Sequence, residues 1–454
     1  MRVSRLLISL LISAGVMIPP LAAGQQTSDL DEILAQVYNT SPAILAERES
    51  LRALNHELGT ARAGLRPNIS ATGSLDRVKT KSTPQKAGEL TTDTSRTTRR
   101  IGLTGTQAIY DGGQTTASVA ATQSRIQAAR AQYLMTEQNT LLEALRSYMN
   151  LLYAQLQLDL QQTSEAIVQQ NLDRVVSLRE AGEATRTQVA QAESRLAAAQ
   201  ASSIQALGSL NRAEANFTKA VGTPAPLILR QPRDLPTRPQ DLANLLERAR
   251  RDNLAVIATR FQLQAARDNL DRGYGAIRPK LNAKASISDT RKPSPGTKKQ
   301  TDTSIGIELT VPIYAGGKSF AGLRGLRAKI NQQDLLLEQA ERQATQQAID
   351  AWHSLNTARA SRESFGTQIT AAETALVGLN REYDAGFATI LDLLDGEKEL
   401  LSAQLNALGA WRDEIIASYS LLAVTGDLTA QRLELDVEIY DFAGDYQDAQ
   451  RWFN

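Results

Sequence analysis

The chain contains no cysteine. Structural disulfides, thiolate metal sites and cysteine nucleophiles are therefore excluded. So is the acylated cysteine of a bacterial lipoprotein, although Leu21-Ala22-Ala23-Gly24 otherwise resembles a lipid-attachment box. Histidine is nearly absent too. His56 and His353 stand far apart, which supports neither a metal cluster nor a serine triad. Long apolar runs are missing except at the N-terminus, where Arg2 and Arg5 precede an apolar stretch over 6–18 and a small-residue site ending at Ala23. This predicts a signal peptide over 1–23, cut before Gly24, because the run is shorter than the roughly 20 residues of a membrane helix. Any membrane entry by the mature chain must then be as a β-barrel, whose alternating strands escape a hydropathy scan. Charge of one sign is lacking as well: 50 basic residues offset 49 acidic ones. The two signs are interspersed, so no nucleic-acid footprint appears, and Arg248, Arg250 and Arg251 read as a solvated helix face.

What is present is one pattern written twice. Ala63-Gly64-Leu65-Arg66-Pro67 recurs as Gly275-Ala276-Ile277-Arg278-Pro279, and Ile109-Tyr110-Asp111-Gly112-Gly113 as Ile313-Tyr314-Ala315-Gly316-Gly317. Ala181-Gly182-Glu183-Ala184-Thr185 recurs as Ala385-Gly386-Phe387-Ala388-Thr389, and Ala220-Val221-Gly222 has an echo in Val424-Thr425-Gly426. The order is kept and the separations are nearly constant. The first copy is longer only between its Arg-Pro and Tyr-x-Gly-Gly landmarks, which predicts a loop insertion there.

Between those two landmarks the period is two. Ile305, Ile307, Leu309, Val311 and Ile313 alternate with smaller or polar residues, as do Leu281, Ala283, Ala285 and Ile287, and more weakly Ile69, Ala71, Leu75, Ile101 and Leu103. This predicts one β-hairpin per repeat, over about 68–110 and 280–314, with strands of about 9–11 residues and polar loops over 79–98 and 290–301. The remainder reads as long helices. Residues 115–181 lack proline and glycine, and Leu141, Leu145, Tyr148, Leu152, Leu156 and Leu160 form one packed stripe. The counterpart over 320–385 carries Gly322, Gly325, Gly366 and Gly378, which are expected to bend or loosen it. Helices about half as long are expected over 30–62, 185–220, 242–272 and 390–423. Four strands cannot close a membrane barrel and an open edge is not tolerated in lipid, so the chain must oligomerise; three copies would supply twelve strands.

Paired hairpins set between long helices, in two copies behind a signal peptide, resemble the TolC family of outer-membrane efflux proteins. The motifs that carry the resemblance are the doubled Arg-Pro and Tyr-x-Gly-Gly landmarks, with Tyr383-Asp384-Ala385-Gly386 followed by Leu391-Asp392-Leu393-Leu394-Asp395. The resemblance implies a fold that mixes a membrane β-barrel with a long α-helical barrel: a homotrimer with a twelve-stranded barrel and a periplasmic tunnel. The repeats then occupy 24–228 and 229–428, with a C-terminal tail over 429–454. It implies a passive exit duct in the outer membrane serving tripartite efflux or type I secretion. Its partners would be a periplasmic adaptor and an inner-membrane pump of RND, ABC or MFS type, besides outer-membrane lipid.

The resemblance also places Asp392 and Asp395 at the tunnel constriction, where a trimer would assemble six carboxylates that favour cations and whose crowding would raise some pKa values. Two readings of Asp392 stay open, since Thr389-x-x-Asp392 also spells a capping box. In the first copy Gln188 and Gln191 take the places of the two acids. Tyr383 matches a tyrosine that helps hold the closed state, or is an interhelical packing aromatic; the family's nearby arginine is Ala388 here. Gly182 and Gly386 end helices, and the same turns are where an adaptor would dock. Gly316-Gly317-Lys318-Ser319 is not a phosphate loop, because Pro312 stands where the leading glycine belongs. No catalytic residue, metal site, nucleotide or cofactor is expected. The alternative reading is a soluble periplasmic coiled-coil adaptor or scaffold, which leaves the two apolar-faced hairpins without a partner layer.

Overall fold

Each half of the chain begins with a helix that is interrupted after three turns. The computed structural model describes residues 27–82, 92–232, 241–294 and 296–451. The expected signal peptide, and Trp452 and Phe453 of the tail, lie outside the described residues. The two-residue strand β1 (Thr27–Ser28) leads into α1 (Leu30–Thr40), capped by Asp29, whose carboxylate accepts the Leu30 amide at 2.8 Å. A single helix over 30–62 was expected, but the chain turns at Ser41 and restarts as α2 (Pro42–Arg62). The reason is local. Pro42 cannot donate a backbone hydrogen bond and disfavours helical φ/ψ in Ser41, while its own fixed φ suits a first helical position.

A 3-10 turn (Ala63–Leu65) precedes β2 (Asn68–Ser82) and β3 (Thr92–Tyr110), and then come the 67-residue α3 (Gln114–Glu180) and α4 (Arg186–Val221). The strand β4 (Ile228–Leu229) pairs in parallel with β1. The second half repeats the plan, and here too the helix expected over 242–272 is two: α5 (Leu242–Asp252) and α6 (Leu254–Gly275). Asn253 makes the break. Its side-chain oxygen accepts the Ala255 amide, and its amide donates to the Val424 carbonyl, both at 3.0 Å. Next come β5 (Lys280–Arg291), β6 (Lys299–Thr310), the 67-residue α7 (Lys318–Asp384), α8 (Ile390–Val424) and a final α9 (Phe442–Arg451). The four glycines of α7 do not interrupt it. A side chain added at any of them would meet nothing within 4 Å, so they lie on open faces, where each loses propensity but not its intrahelical bond.

The hairpins form one antiparallel sheet in the order β2-β3-β5-β6. The strands outrun the expected 9–11 residues: β2 and β3 have 15 and 19 residues, and β5 and β6 have 12 each. The extra length of the first copy therefore lies largely in strand rather than loop. Residues 79–82 and 92–98 are threonine-rich and polar on both sides, so they suit extended backbone without showing apolar alternation. The second hairpin stops at Thr310, short of the expected 314, because Pro312 cannot continue a ladder.

Short helices stack end to end along each long one. At one end of α3, Leu51 and Leu58 of α2 pack on Ile126; at the other, Val168 and Val175 meet Val189 of α4 and Ile390 of α8. Between them lies the main core, where the predicted stripe from Leu141 to Leu152 is buried with Val37, Tyr38, Phe217, Ile415 and Tyr419. The tail wraps this core. Arg48 lies over the rings of Tyr38 (4.7 Å) and Tyr440 (5.5 Å), Phe442 packs edge-on to Tyr133, and Arg52 pairs with Asp445 at 2.9 Å. The buried Glu137 accepts the Ala430 amide at 2.7 Å, which latches the chain beyond α8 to α3.

Burial pushes the Glu137 carboxyl from an ordinary 4.5 up to about 6. The folded state thus holds this proton more tightly than the unfolded chain. Its contribution is complete below about pH 4.5 and is lost as pH rises through about 6, an effect on the order of 2 kcal/mol. Glu137→Gln keeps an acceptor for Ala430 and should flatten the fall in unfolding midpoint between these pH values, as read by calorimetry.

Candidate functional site at the helical tips and the sheet face

Both long helices end in the same way at the end remote from the sheet. The Gly182 amide donates to the Arg179 carbonyl at 3.0 Å and the Glu183 amide to Leu178 at 2.8 Å; the Gly386 amide donates to Tyr383 at 3.0 Å and Phe387 to Glu382 at 2.8 Å. Gly182 and Gly386 sit at φ +85° and +81°, the left-handed conformation that this double closure requires. The returning helices start alike. Thr185 and Gln188 form a reciprocal capping box on α4, and Thr389 and Asp392 form one on α8. The Asp392 carboxylate accepts from the Thr389 hydroxyl and amide at 2.6 and 2.8 Å. These bonds hold its carboxyl below the usual range within one chain.

Asp392 and Asp395 project away from the core that Leu393 and Leu394 enter. Asp395 accepts from Arg195 of α4 at 2.6 Å, which ties the two repeats together. Tyr383 packs against the Val168, Val175 and Ile390 cluster, and burial raises its phenol pKa. Arg174 of α3 lies 5.6 Å from its ring centroid and 3.9 Å from the Asp384 carboxylate. Both tip arginines escaped the sequence reading. The repeat carried a signal for one of them, since Arg195 aligns with Glu399 and so reverses charge between copies. Farther from the tip, the buried Glu414 of α8 is clamped by Arg359 at 3.2 Å and Arg362 at 2.7 Å, both from α7.

The sheet end is two-faced. By register, Ile69, Ala71, Leu103, Ile287, Ile305 and Leu309 share one face, while Ser70, Thr104, Lys284, Ser286 and Glu308 share the other. The apolar face is bare: Ile305 is 89% exposed, and Ile313 and Tyr314 just past β6 are 94% and 86% exposed. The polar face carries its own bonds, among them Lys284 to Glu308.

The profile of the family described as "Outer membrane efflux protein" matches residues 33–223 and 245–427. The chain belongs to this family. It is 30% identical over 429 residues to the outer membrane efflux protein BepC of Brucella suis, covering 92% of this chain and 90% of BepC. It is 23% identical to the outer membrane protein TolC of Vibrio cholerae, covering 94% and 96% of the two chains. The crystal structure of the CmeC outer membrane channel of Campylobacter jejuni superposes with a TM-score of 0.77 at 13% identity, over 93% of this chain and 89% of that one. As an outer membrane efflux protein the chain is an exit channel. Among the described residues no helix is long and apolar enough to cross a membrane. In the two ion pairs that join the repeats near the tips of this efflux protein, the cations, Arg174 and Arg195, come from the first repeat and the acids, Asp384 and Asp395, from the second.

Cap and charge are separable at Asp392. Thr389→Ala should cost about 1 kcal/mol through the lost N-cap. Asp392→Asn keeps an acceptor, as Gln188 does in the first copy, and should lower the unfolding midpoint less than Thr389→Ala does in calorimetry.

Proposed function

We propose that three copies of this chain assemble into a passive outer-membrane exit duct, with a twelve-stranded barrel above a helical tunnel. The observation that carries this reading is that sheet and helical layer are open together. The outer edges of β2 and β6 are unpaired, and in hydrocarbon each unbonded backbone group costs several kcal/mol. Three copies of a four-stranded sheet close such a ring with an even strand number. The helices need the same closure. Ile204 on α4 is 69% exposed and Leu335 on α7 66%. A soluble periplasmic adaptor or scaffold would leave the apolar sheet face in water, which speaks against it.

Export would follow cleavage of the signal peptide near Ala23, with no lipid anchor. In the assembled duct Asp392 and Asp395 of three copies would ring the narrow end and favour cations, while Tyr383, held by Arg174, would steady the closed state. The turns at Gly182 and Gly386 would receive a periplasmic adaptor coupled to an inner-membrane pump of RND, ABC or MFS type. Opening would splay the tips. This requires no nucleotide or cofactor on this chain and no chemical step. The two repeats, 24–228 and 229–428, would each furnish one hairpin and one pair of stacked helices, with the tail over 429–454 holding them at mid-height.

Assembly is read from a heat-sensitive trimer band in outer-membrane fractions; a soluble monomer would overturn the duct. In planar bilayers the double variant Asp392→Asn with Asp395→Asn should lose cation selectivity and divalent-cation block. Unchanged values would remove these acids from the gate. Because the chain has no cysteine, Glu183→Cys and Phe387→Cys supply unique labels one residue past each tip glycine. Both should crosslink to the adaptor, and failure at both sites would move docking elsewhere.

A further inference from the structure

We propose that the sheet carries, just beyond its apolar band, a collar that binds phosphate-bearing lipid headgroups of the outer leaflet. The inference rests on the reading of the sheet as a membrane barrel. Residues directly opposite in an antiparallel ladder share a face. Leu75 stands opposite Arg99, Arg99 opposite Arg291, and Arg291 opposite Lys299. One lateral row on the lipid side therefore sets three cations side by side across β3, β5 and β6. Arg77, Lys79 and Lys81 continue the same face toward the tip of β2.

These six cations face two acids. Asp289 is 2.8 Å from Lys299 and Asp93 is 3.8 Å from Lys79. The face thus has a net charge of +4 (six minus two) on a chain whose net charge is only +1. Among the described residues no carboxylate lies within salt-bridge distance of Arg77, Lys81, Arg99 or Arg291, and all four are exposed. Like charges directly opposite destabilise a sheet, so this row works against the fold of the isolated chain. An anionic layer at that height would reverse the sign of the effect.

Position chooses the occupant. The row begins two residues above Ile101 on β3, where the lipid-facing apolar residues end. Arginine and lysine there can lay their stems on the band and reach outward with their charges, and guanidinium groups accept phosphate bidentately. The opposite rim is different in kind. Near the helices the same face ends in Ile69, Tyr110, Leu281 and Leu309, apolar and aromatic rather than cationic. Such asymmetry fits a bilayer whose outer leaflet carries phosphate charge uncompensated by amines and whose inner leaflet is largely zwitterionic. Cations fixed on the barrel would occupy the place that divalent ions otherwise take between neighbouring phosphates.

The test uses the detergent-purified, full mature protein and three probes in native mass spectrometry: diphosphorylated lipid A, the same acylated disaccharide without phosphate, and inorganic phosphate. Wild type should retain diphosphorylated lipid A over the dephosphorylated form, and millimolar inorganic phosphate should not displace it. The triple variant Arg99→Gln, Arg291→Gln, Lys299→Gln should weaken retention on the order of 100-fold while keeping the heat-sensitive trimer. Equal retention of both lipids by wild type would overturn the collar, and that comparison stands even if the variant does not assemble. Displacement by inorganic phosphate would make this a free-anion site and overturn the lipid assignment. Loss of the trimer from membrane fractions of wild type would instead refute the barrel reading on which the collar rests.

Discussion

Hydrocarbon offers a backbone amide no partner, and the rest of this molecule follows from that constraint. Among the described residues no helix is long and apolar enough to cross a membrane, so this part of the chain can enter a bilayer only as a closed ring of strands. Four strands with free edges at β2 and β6 cannot make that ring. The unsatisfied edges are thus an instruction to associate, and the helices below obey it with their own uncovered faces on α4 and α7. Closure of sheet and helices is a single event because each hairpin runs directly into a long helix. Gly112, at the junction of β3 and α3, shows how tight the joint is: a Cβ there would lie 2.4 Å from the Gly275 carbonyl oxygen.

At the far end the governing interactions are small and exposed. The Arg195–Asp395 pair is about half in water, and such pairs are worth at most about 1 kcal/mol. On that scale the two repeats are joined only lightly at the tips. The buried clamp of Glu414 by Arg359 and Arg362 belongs to another regime. Stripping both arginines from a buried carboxylate costs several kcal/mol, so α7 and α8 are held firmly at mid-length while their tips are held lightly. The helices can therefore splay at one end without separating at the other.

Much of this was legible before any coordinates. The repeat, the two hairpins, the long helices and the glycine turns all followed from periodicity and from residues that punctuate the backbone. The breaks at Ser41 and Asn253 were missed although Ser41-Pro42 spelled one of them, because helical periodicity continues across a break that keeps the same face buried. Strand length was underestimated because alternation of apolar residues marks only the part of a strand that touches lipid; the threonine-rich ends of β2 and β3 are strand without that mark. The partners of the tip residues were not legible. Arg174 and Arg195 reach Asp384 and Asp395 across some 200 positions, and only the packing of one repeat on the other brings them together. The expected signal peptide and the last aromatic residues fall outside what the structure describes.

The docking of the tail has a consequence for the order of events in the life of the chain. Tyr440 and Phe442 close a pocket whose other walls, Tyr38, Arg48 and Tyr133, were synthesised some 300 to 400 residues earlier. The first repeat cannot finish its core from its own material. A chain still being made therefore carries an unfilled aromatic pocket and an unlatched Glu137 until its final segment arrives. Completion of the protomer's core is thus timed by the C-terminal segment, which closes it only after both hairpins and both long helices have been made.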